Sequence, residues 1–277
     1  MAIRVGYQGN HGTFSEIAVM EYFRGREYEP VGCTGFTEIM NDCDAGRLDY
    51  AVLPVENTTT GIIARTYDLF RSHAVHAVGE IVVPIREDLI VLPGTKLDAV
   101  RKVYSHPEAL SQCQRFFAEH PAIQPIAYQD TAASVALVRD SGDPSVAALA
   151  SARAAEYYGM ESLLRNVQDS DTNMTRFLCV TAHEERHPEA DKISMMLILK
   201  HEPGALYDAL GALAAEHINV MKLESRPIVG HPFQYLFYID FTGNTEDPAV
   251  ASAMRTLSGR CTEARVLGCY KAAVRVM

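Results

Sequence analysis

The sequence predicts an α/β fold in two units, a larger one over residues 1–182 and a smaller βαββαβ unit over residues 192–277. Three observations carry this reading. From Met1 to about Ala182 one phrase repeats: a short apolar strand, a polar or glycine-rich junction, then an amphipathic helix. That is the pattern of a sheet with helical crossovers. Around Thr181-Ala182-His183-Glu184-Glu185-Arg186-His187-Pro188-Glu189-Ala190 the apolar pattern stops and charges take over, as in a linker. Strands and helices then resume in a different order. At 277 residues, with 48% hydrophobic and 22% charged residues, the chain is long enough for two such units, each with its own core.

The elements follow in order. Ile3 to Tyr7 reads as a strand that runs into Gly9-Asn10-His11-Gly12-Thr13-Phe14-Ser15 and a helix through Phe23. Tyr50 to Val55 runs into Glu56-Asn57-Thr58-Thr59-Thr60-Gly61 and a helix from Ile62 to Arg71. The stretch from Glu80 to Pro93, with Pro84 and Pro93-Gly94, interrupts the phrase and reads as a crossing between two lobes with a cleft between them. Lys102 to Ser105 meets His106-Pro107 and a helix from Glu108 to His120, with Pro107 suited to a first turn. Ile126 to Tyr128 meets Asp130-Thr131, either of which suits an N-cap. Ala147 to Ala155 leads toward the strand that begins near Thr175. Each junction offers free backbone N–H groups at a strand's C-terminal edge, where open α/β sheets bind ligands.

In the second unit, Ile193 to Lys200 is a strand, and Pro203-Gly204-Ala205 opens a helix with Leu206, Leu210 and Leu213 on one face. Val220 to Arg226 and Phe233 to Phe241 are strands around the turn at 227–232, Asp247 to Leu257 is a helix, and Ala264 to Ala272 is the last strand. This is the element order of a ferredoxin-like domain.

The formal charge of −10 argues against a nucleic-acid or anionic-membrane surface, both of which need clustered Lys and Arg. An anionic ligand must then be held by a few placed groups. No apolar run approaches the roughly 18–20 residues of a bilayer span, and a strand begins almost at Met1, so a cytoplasmic protein is expected. Six scattered cysteines without a CxxC pair read as free thiols, and ten histidines without HExxH give no zinc pattern. The glycines at 9 and 12 lack both Rossmann and P-loop spacing, so no nucleotide cofactor is expected.

Asn173-Met174-Thr175-Arg176-Phe177 sets a hydroxyl, a guanidinium and a ring side by side, which suits a small anionic substrate bearing a ring. Asn57-Thr58-Thr59-Thr60 offers four neutral hydrogen-bonding side chains after a strand. Ser105 and His106 lack a nucleophile elbow, so hydrogen bonding from Ser105 is expected rather than covalent catalysis. Thr131 is either a ligand donor or a cap, and Phe177 packs either beside a ligand ring or under its own strand.

Taken in order, Gly9-x-x-Gly12-Thr13-Phe14-Ser15, Pro54-Val55-Glu56-Asn57-Thr58, Ser105-His106-Pro107, Asp130-Thr131-Ala132 and Asn173 to Phe177 resemble the motifs of prephenate dehydratases. The second unit resembles the ACT regulatory module of that family through Gly204-Ala205-Leu206 and Glu224-Ser225-Arg226-Pro227. Thr58 departs from the family's usual Ser, and Glu108 from its usual Gln. The resemblance implies a two-lobed fold like that of periplasmic binding proteins and conversion of prephenate to phenylpyruvate without a cofactor. It implies Thr175 at the leaving hydroxyl, as proton donor or hydrogen-bond donor, with Asn57, Thr58, Ser105, Thr131, Asn173, Arg176 and Phe177 about the substrate. Strand alternation turns Arg176 away from Thr175 unless the chain bends there. The resemblance further implies L-phenylalanine as effector at Gly204, Ala205, Leu206, Asn219, Glu224, Ser225, Arg226 and Pro227, in a homodimer or homotetramer. Since the chain starts at its first strand, a monofunctional enzyme is expected, with arogenate dehydratase or a non-catalytic amino-acid sensor as alternatives.

Overall fold

The computed structural model describes residues 2–228 and 230–273. The chain opens with β1 (Ile3–Gln8), α1 (Phe14–Tyr22), β2 (Tyr28–Cys33), α2 (Phe36–Asp44), β3 (Tyr50–Asn57), β4 (Gly61–Ile62), α3 (Ala64–Ser72) and β5 (His76–Pro84). It crosses at 85–87 into β6 (Asp88–Val91), β7 (Lys102–Ser105), α4 (Pro107–Ser111), α5 (Gln114–Glu119), β8 (Gln124–Ala127), α6 (Thr131–Ser141), β9 (Val146–Ala150), α7 (Ala152–Tyr158) and β10 (Glu161–Leu164). A second crossing at 165–173 brings the chain back as β11 (Met174–Thr181).

The first sheet has the order β2-β1-β3-β11-β5, with β4 against β3, and the second β10-β6-β9-β7-β8. β1 is parallel to β2 and β3, whereas β11 enters antiparallel between β3 and β5. The expected interruption at Glu80 to Pro93 is thus the end of β5, a short crossing and β6. The helix expected from Glu108 to His120 divides, because Cys113 leaves the helical region with ψ 33 and α5 starts anew. Asp169 stabilises that restart by accepting the backbone N–H groups of Gln114 and Arg115, each at 2.9 Å. The lobes also touch near α1. Gly12 has φ 92, and a Cβ there would lie 2.6 Å from the Ala154 backbone, while Ser151 Oγ donates to its carbonyl at 2.6 Å.

The remaining chain forms β12 (Lys192–Leu199), α8 (Ala205–Ala215), β13 (Val220–Pro227), β14 (Tyr235–Thr242), α9 (Pro248–Arg260) and β15 (Cys261–Tyr270). Its antiparallel sheet runs β13-β14-β12-β15, the strand order of the expected βαββαβ unit. Val229, in the turn expected at 227–232, lies outside the described residues. One face of this sheet packs on α8 and α9 through Ile193, Met195, Leu197, Leu213 and Leu257. The other joins the first lobe, where Met196, Leu236, Tyr238 and Leu267 share a core with Leu53, Phe70 and Leu178.

Candidate active site

The C-terminal ends of β1, β3 and β7 converge on a cleft between the lobes, and β11 runs along its floor. An inner recess of about 200 Å³ is lined by Gln8, Glu87, Gln112, Thr131, Thr175 and Phe177. A wider groove of about 1000 Å³ adds Asn57, Thr60 and Arg65, and shares Gln8, His106, Glu108 and Thr175 with the recess. The two form one cleft with Thr175 at their junction.

A hydrogen-bond chain sets the state of the Thr175 hydroxyl. Asn57 Oδ1 accepts the backbone N–H groups of Thr59 at 2.8 Å and Thr60 at 3.1 Å. Those groups only donate, so the opposite end of the amide is Nδ2. Asn57 Nδ2 in turn donates to Thr175 Oγ1 at 3.0 Å and to Asn173 Oδ1 at 2.8 Å. Asn173 Nδ2 passes the order on to Gln112 Oε1 at 2.7 Å, on the far lobe. Thr175 Oγ1 therefore acts as an acceptor toward Asn57, and its own proton is left for a ligand in the cleft. Asn57 and Thr175 meet because they are register partners across β3 and β11.

Residues 5–185 match the family model described as prephenate dehydratase. The chain belongs to the prephenate dehydratase family. It is 37% identical to an Arabidopsis thaliana protein named arogenate dehydratase/prephenate dehydratase 1, over 97% of this chain and 72% of that one. A solved prephenate dehydratase from Arthrobacter aurescens, in complex with L-Phe, is 29% identical with TM-score 0.88, covering 97% of this chain and 90% of that one. A structure described as GqqA, a novel type of quorum-quenching acylase, is 30% identical with TM-score 0.88, covering 97% and 98%.

Several family-motif residues have positions that differ from expectation. Ser105 is fully buried and donates to the Leu149 carbonyl at 2.6 Å across β7 and β9, so it does not line the cleft. Thr58 donates to Thr172 O at 2.8 Å and accepts from Met174 N at 2.9 Å, which ties its turn to the start of β11 instead of reaching a ligand. The Asn173 side chain is consumed between Asn57 and Gln112. Thr131 does line the recess, because Asp130 takes the cap of α6 by accepting Ala133 N–H at 2.6 Å. Phe177 is both buried core and recess wall.

Arg176 is the largest correction. Strand alternation sends it to the opposite face, where its side chain is 11% exposed and lies 3.0 Å from Glu80, 2.8 Å from Asp240 and 3.1 Å from Glu56. The Asp240 contact is an ion pair rather than an aligned hydrogen bond. A guanidinium already facing these acidic groups, outside the cleft, is not the substrate's cation. Arg65, in the first turn of α3, is the guanidinium that lines the groove. No pattern in the sequence marked it, nor Glu87 and Gln112, since each reaches the cleft only through the packing of the lobes.

Among the effector candidates, Ala205 and Leu206 line a separate cavity of about 270 Å³ with Ile198, Phe233 and Tyr235. Gly204 precedes them at φ 86, in the left-handed region. Asn219 instead pairs by backbone with Thr242, and Arg226 donates to Asp68 of α3 at 2.8 Å. Neither is among the residues that line the cavity, nor are Glu224, Ser225 and Pro227, although Ser225 and Pro227 pair across β13 and β14 with the lining residues Phe237 and Tyr235. One group of metal-type donors occurs among the described residues, Cys33, Glu38 and Asp42. Its members are committed elsewhere: Glu38 accepts from Thr34, Asp42 pairs with Arg47, and burial pushes the Cys33 thiol up to about 11.

Proposed function

We propose that the chain is a lyase that converts prephenate to phenylpyruvate, carbon dioxide and water, as part of phenylalanine biosynthesis. The observation that carries this is the Thr175 hydroxyl, fixed as a donor by Asn57 at the junction of a cleft that Arg65 also lines. Prephenate has two carboxylates and a ring hydroxyl. Arg65 and the free amides at the start of α1 and α6 receive the anionic groups. Thr175 donates to the hydroxyl oxygen as its bond to the ring breaks and charge develops on it. The ring-bound carboxylate leaves as carbon dioxide, its electron pair enters the ring, and aromatisation supplies the driving force. Phe177 and Ile85 give the ring an apolar wall.

Acyl transfer of the kind named for GqqA has less support here. Ser105, adjacent in sequence to His106, is turned to the Leu149 carbonyl and unavailable as a nucleophile.

Within this reading, residues 1–182 form a two-lobed catalytic domain like a periplasmic binding protein, and 192–277 an ACT-type regulatory domain. L-Phenylalanine binds at the cavity beside Gly204, Ala205 and Leu206 and inhibits by favouring one state of the cleft. The relative solved with L-Phe supports that effector. The chain pairs with itself through β13, an edge strand that leaves Met221 and Leu223 exposed. Its compartment is the cytosol. No helix among the described residues is long and apolar enough to cross a membrane.

The test is a parallel assay of the purified chain with prephenate and arogenate, following phenylpyruvate absorbance in alkali for the former and phenylalanine release for the latter. Turnover of prephenate with the higher kcat/KM is expected. Much faster turnover of arogenate would reassign the substrate, and binding without product would leave a sensor.

A further inference from the structure

The recess holds a carboxyl that the reaction above leaves unused. Glu87 stands on the 85–87 crossing, is 1% exposed, and lines the recess together with Thr175. Its backbone is clamped on both sides by the other crossing: its N–H donates to Gln168 Oε1 at 3.0 Å, and its carbonyl accepts from Val167 N at 2.8 Å. Its Oε2 is buried with no hydrogen-bond partner among the described residues. A carboxylate in that setting would be an uncompensated buried charge, so the neutral acid is the stable form. Burial, and next the neighbouring Asp88, push its pKa up to about 8, and no cation opposes them.

The dehydration consumes one proton, and the recess has few groups able to supply it. An alcohol such as Thr175 is too weak an acid. The Asp130 carboxylate is occupied as an acceptor of Ala133 N–H and Asn10 Nδ2. His106 is engaged at the N-cap of α4, its Nδ1 accepting Glu108 N–H at 3.2 Å. Glu108 is exposed, and burial pushes up the thiol of Cys113, next to Gln112.

Building on the prephenate dehydratase reading, we propose that Glu87 is the general acid of the reaction, giving its carboxyl proton to the departing ring hydroxyl while Thr175 hydrogen-bonds the same oxygen. The bond from the ring to the carboxylate breaks and carbon dioxide leaves. Its electron pair enters the ring as the carbon–oxygen bond breaks on the opposite side. The oxygen departs with that bond's pair and Glu87's proton, as water. Glu87 remains as carboxylate and is reprotonated from solvent through the open groove. Substrate dianion plus one proton thus becomes phenylpyruvate anion, carbon dioxide and water. A neutral acid also avoids repulsion of the dianionic substrate, which a Glu carboxylate at this position would cause.

The experiment compares pH profiles of the full chain with those of Glu87→Gln and Glu87→Asp, prephenate being the substrate. For the wild type, kcat/KM is expected to fall above about pH 8, and kcat at a higher pH, because the bound dianion raises the acid's pKa further. Glu87→Gln should lose roughly 10²-fold or more in kcat and the basic limb with it, while KM stays within a few-fold and Glu87→Asp recovers part of the rate. An infrared difference spectrum of wild type minus Glu87→Gln at pH 7, read without turnover, should contain a protonated carboxyl band. A wild type inactive on prephenate would overturn the dehydratase reading and the acid role with it. An active wild type with an unchanged Glu87→Gln rate and profile, or no such band, would overturn the role of Glu87 alone.

Discussion

Thr175 owes its proposed role to a partner 118 positions away in the chain. An isolated threonine hydroxyl in water donates and accepts without preference, whereas Asn57 commits this oxygen to accepting and so directs its proton outward. Replacing Thr175 by Val removes that donor, and kcat is expected to fall by roughly 10²-fold or more. Thr175→Ser keeps the hydroxyl and should retain much more activity. Steady-state kinetics on both variants decide this, and equal rates for Val and wild type would remove Thr175 from the mechanism. The Asn173–Phe177 stretch marked a hydroxyl suited to a small anionic substrate, and the resemblance to the family implied Thr175 at the leaving hydroxyl. It also pointed to Arg176, which strand alternation placed on the other face of β11.

At the level of elements, β11 gives the site its shape. It is the chain's return from the second lobe, and its two faces do different work: Thr175 and Phe177 meet the cleft, while Arg176 meets the C-terminal sheet. That sheet is held close through β15 and β5. A Cβ at Gly268 would lie 2.0 Å from the Ala77 carbonyl oxygen, a backbone atom that cannot move aside. Gly268→Ala is therefore expected to force the two strands apart and lower stability by about 1–3 kcal/mol. A urea melt of the variant checks it, and an unchanged midpoint would show that the contact yields freely. The alternating apolar pattern was enough to locate β1, β3 and β7. It did not reveal that β11 would insert antiparallel between β3 and β5, because local pattern carries no information on which strands pair.

Across the whole molecule, a buried ionic cluster joins the first lobe to the C-terminal sheet. Arg176 and Glu80 belong to the lobe, and Lys192 and Asp240 to the sheet, with Lys192 Nζ 2.8 Å from Glu80 and Arg176 Nη1 2.8 Å from Asp240. Lys222 extends it to Glu56 at 3.7 Å and to the Tyr67 hydroxyl at 2.8 Å. Removing Arg176 takes from the buried Asp240 its nearest cation and leaves Lys192 at 3.9 Å, so Arg176→Met should destabilise by about 3–5 kcal/mol. Thermal melting would register that loss, and KM for prephenate should change little because the side chain faces away from the cleft.

The pH dependence of stability has two opposing parts. Burial raises the Asp240 pKa, but Arg176 and Lys192 outweigh it and hold it below the ordinary 3.8. Its stabilisation is therefore present above pH 3.8 and lost as the pH falls through the lower folded value. Glu87 has the reverse sign, since its folded pKa of about 8 exceeds the ordinary 4.5. Its contribution falls as pH rises from 4.5 to about 8 and is constant beyond. Melts of wild type and Glu87→Gln across this range should diverge progressively, with the variant gaining; parallel curves would show that Glu87 titrates normally.

By itself the sequence determined the α/β class, the βαββαβ order of the C-terminal elements, and the motifs that place the chain with the prephenate dehydratases. These rest on periodicity and short spacing, which are properties of neighbouring residues. Tertiary structure alone decided which motif residues face the cleft. It turned Ser105 inward and Arg176 outward, and it brought Glu87, Gln112 and Arg65 to the cleft from three separate segments. The physical reason is that a side chain's partner, burial and protonation depend on what packs against it, and at this site those neighbours come from both lobes.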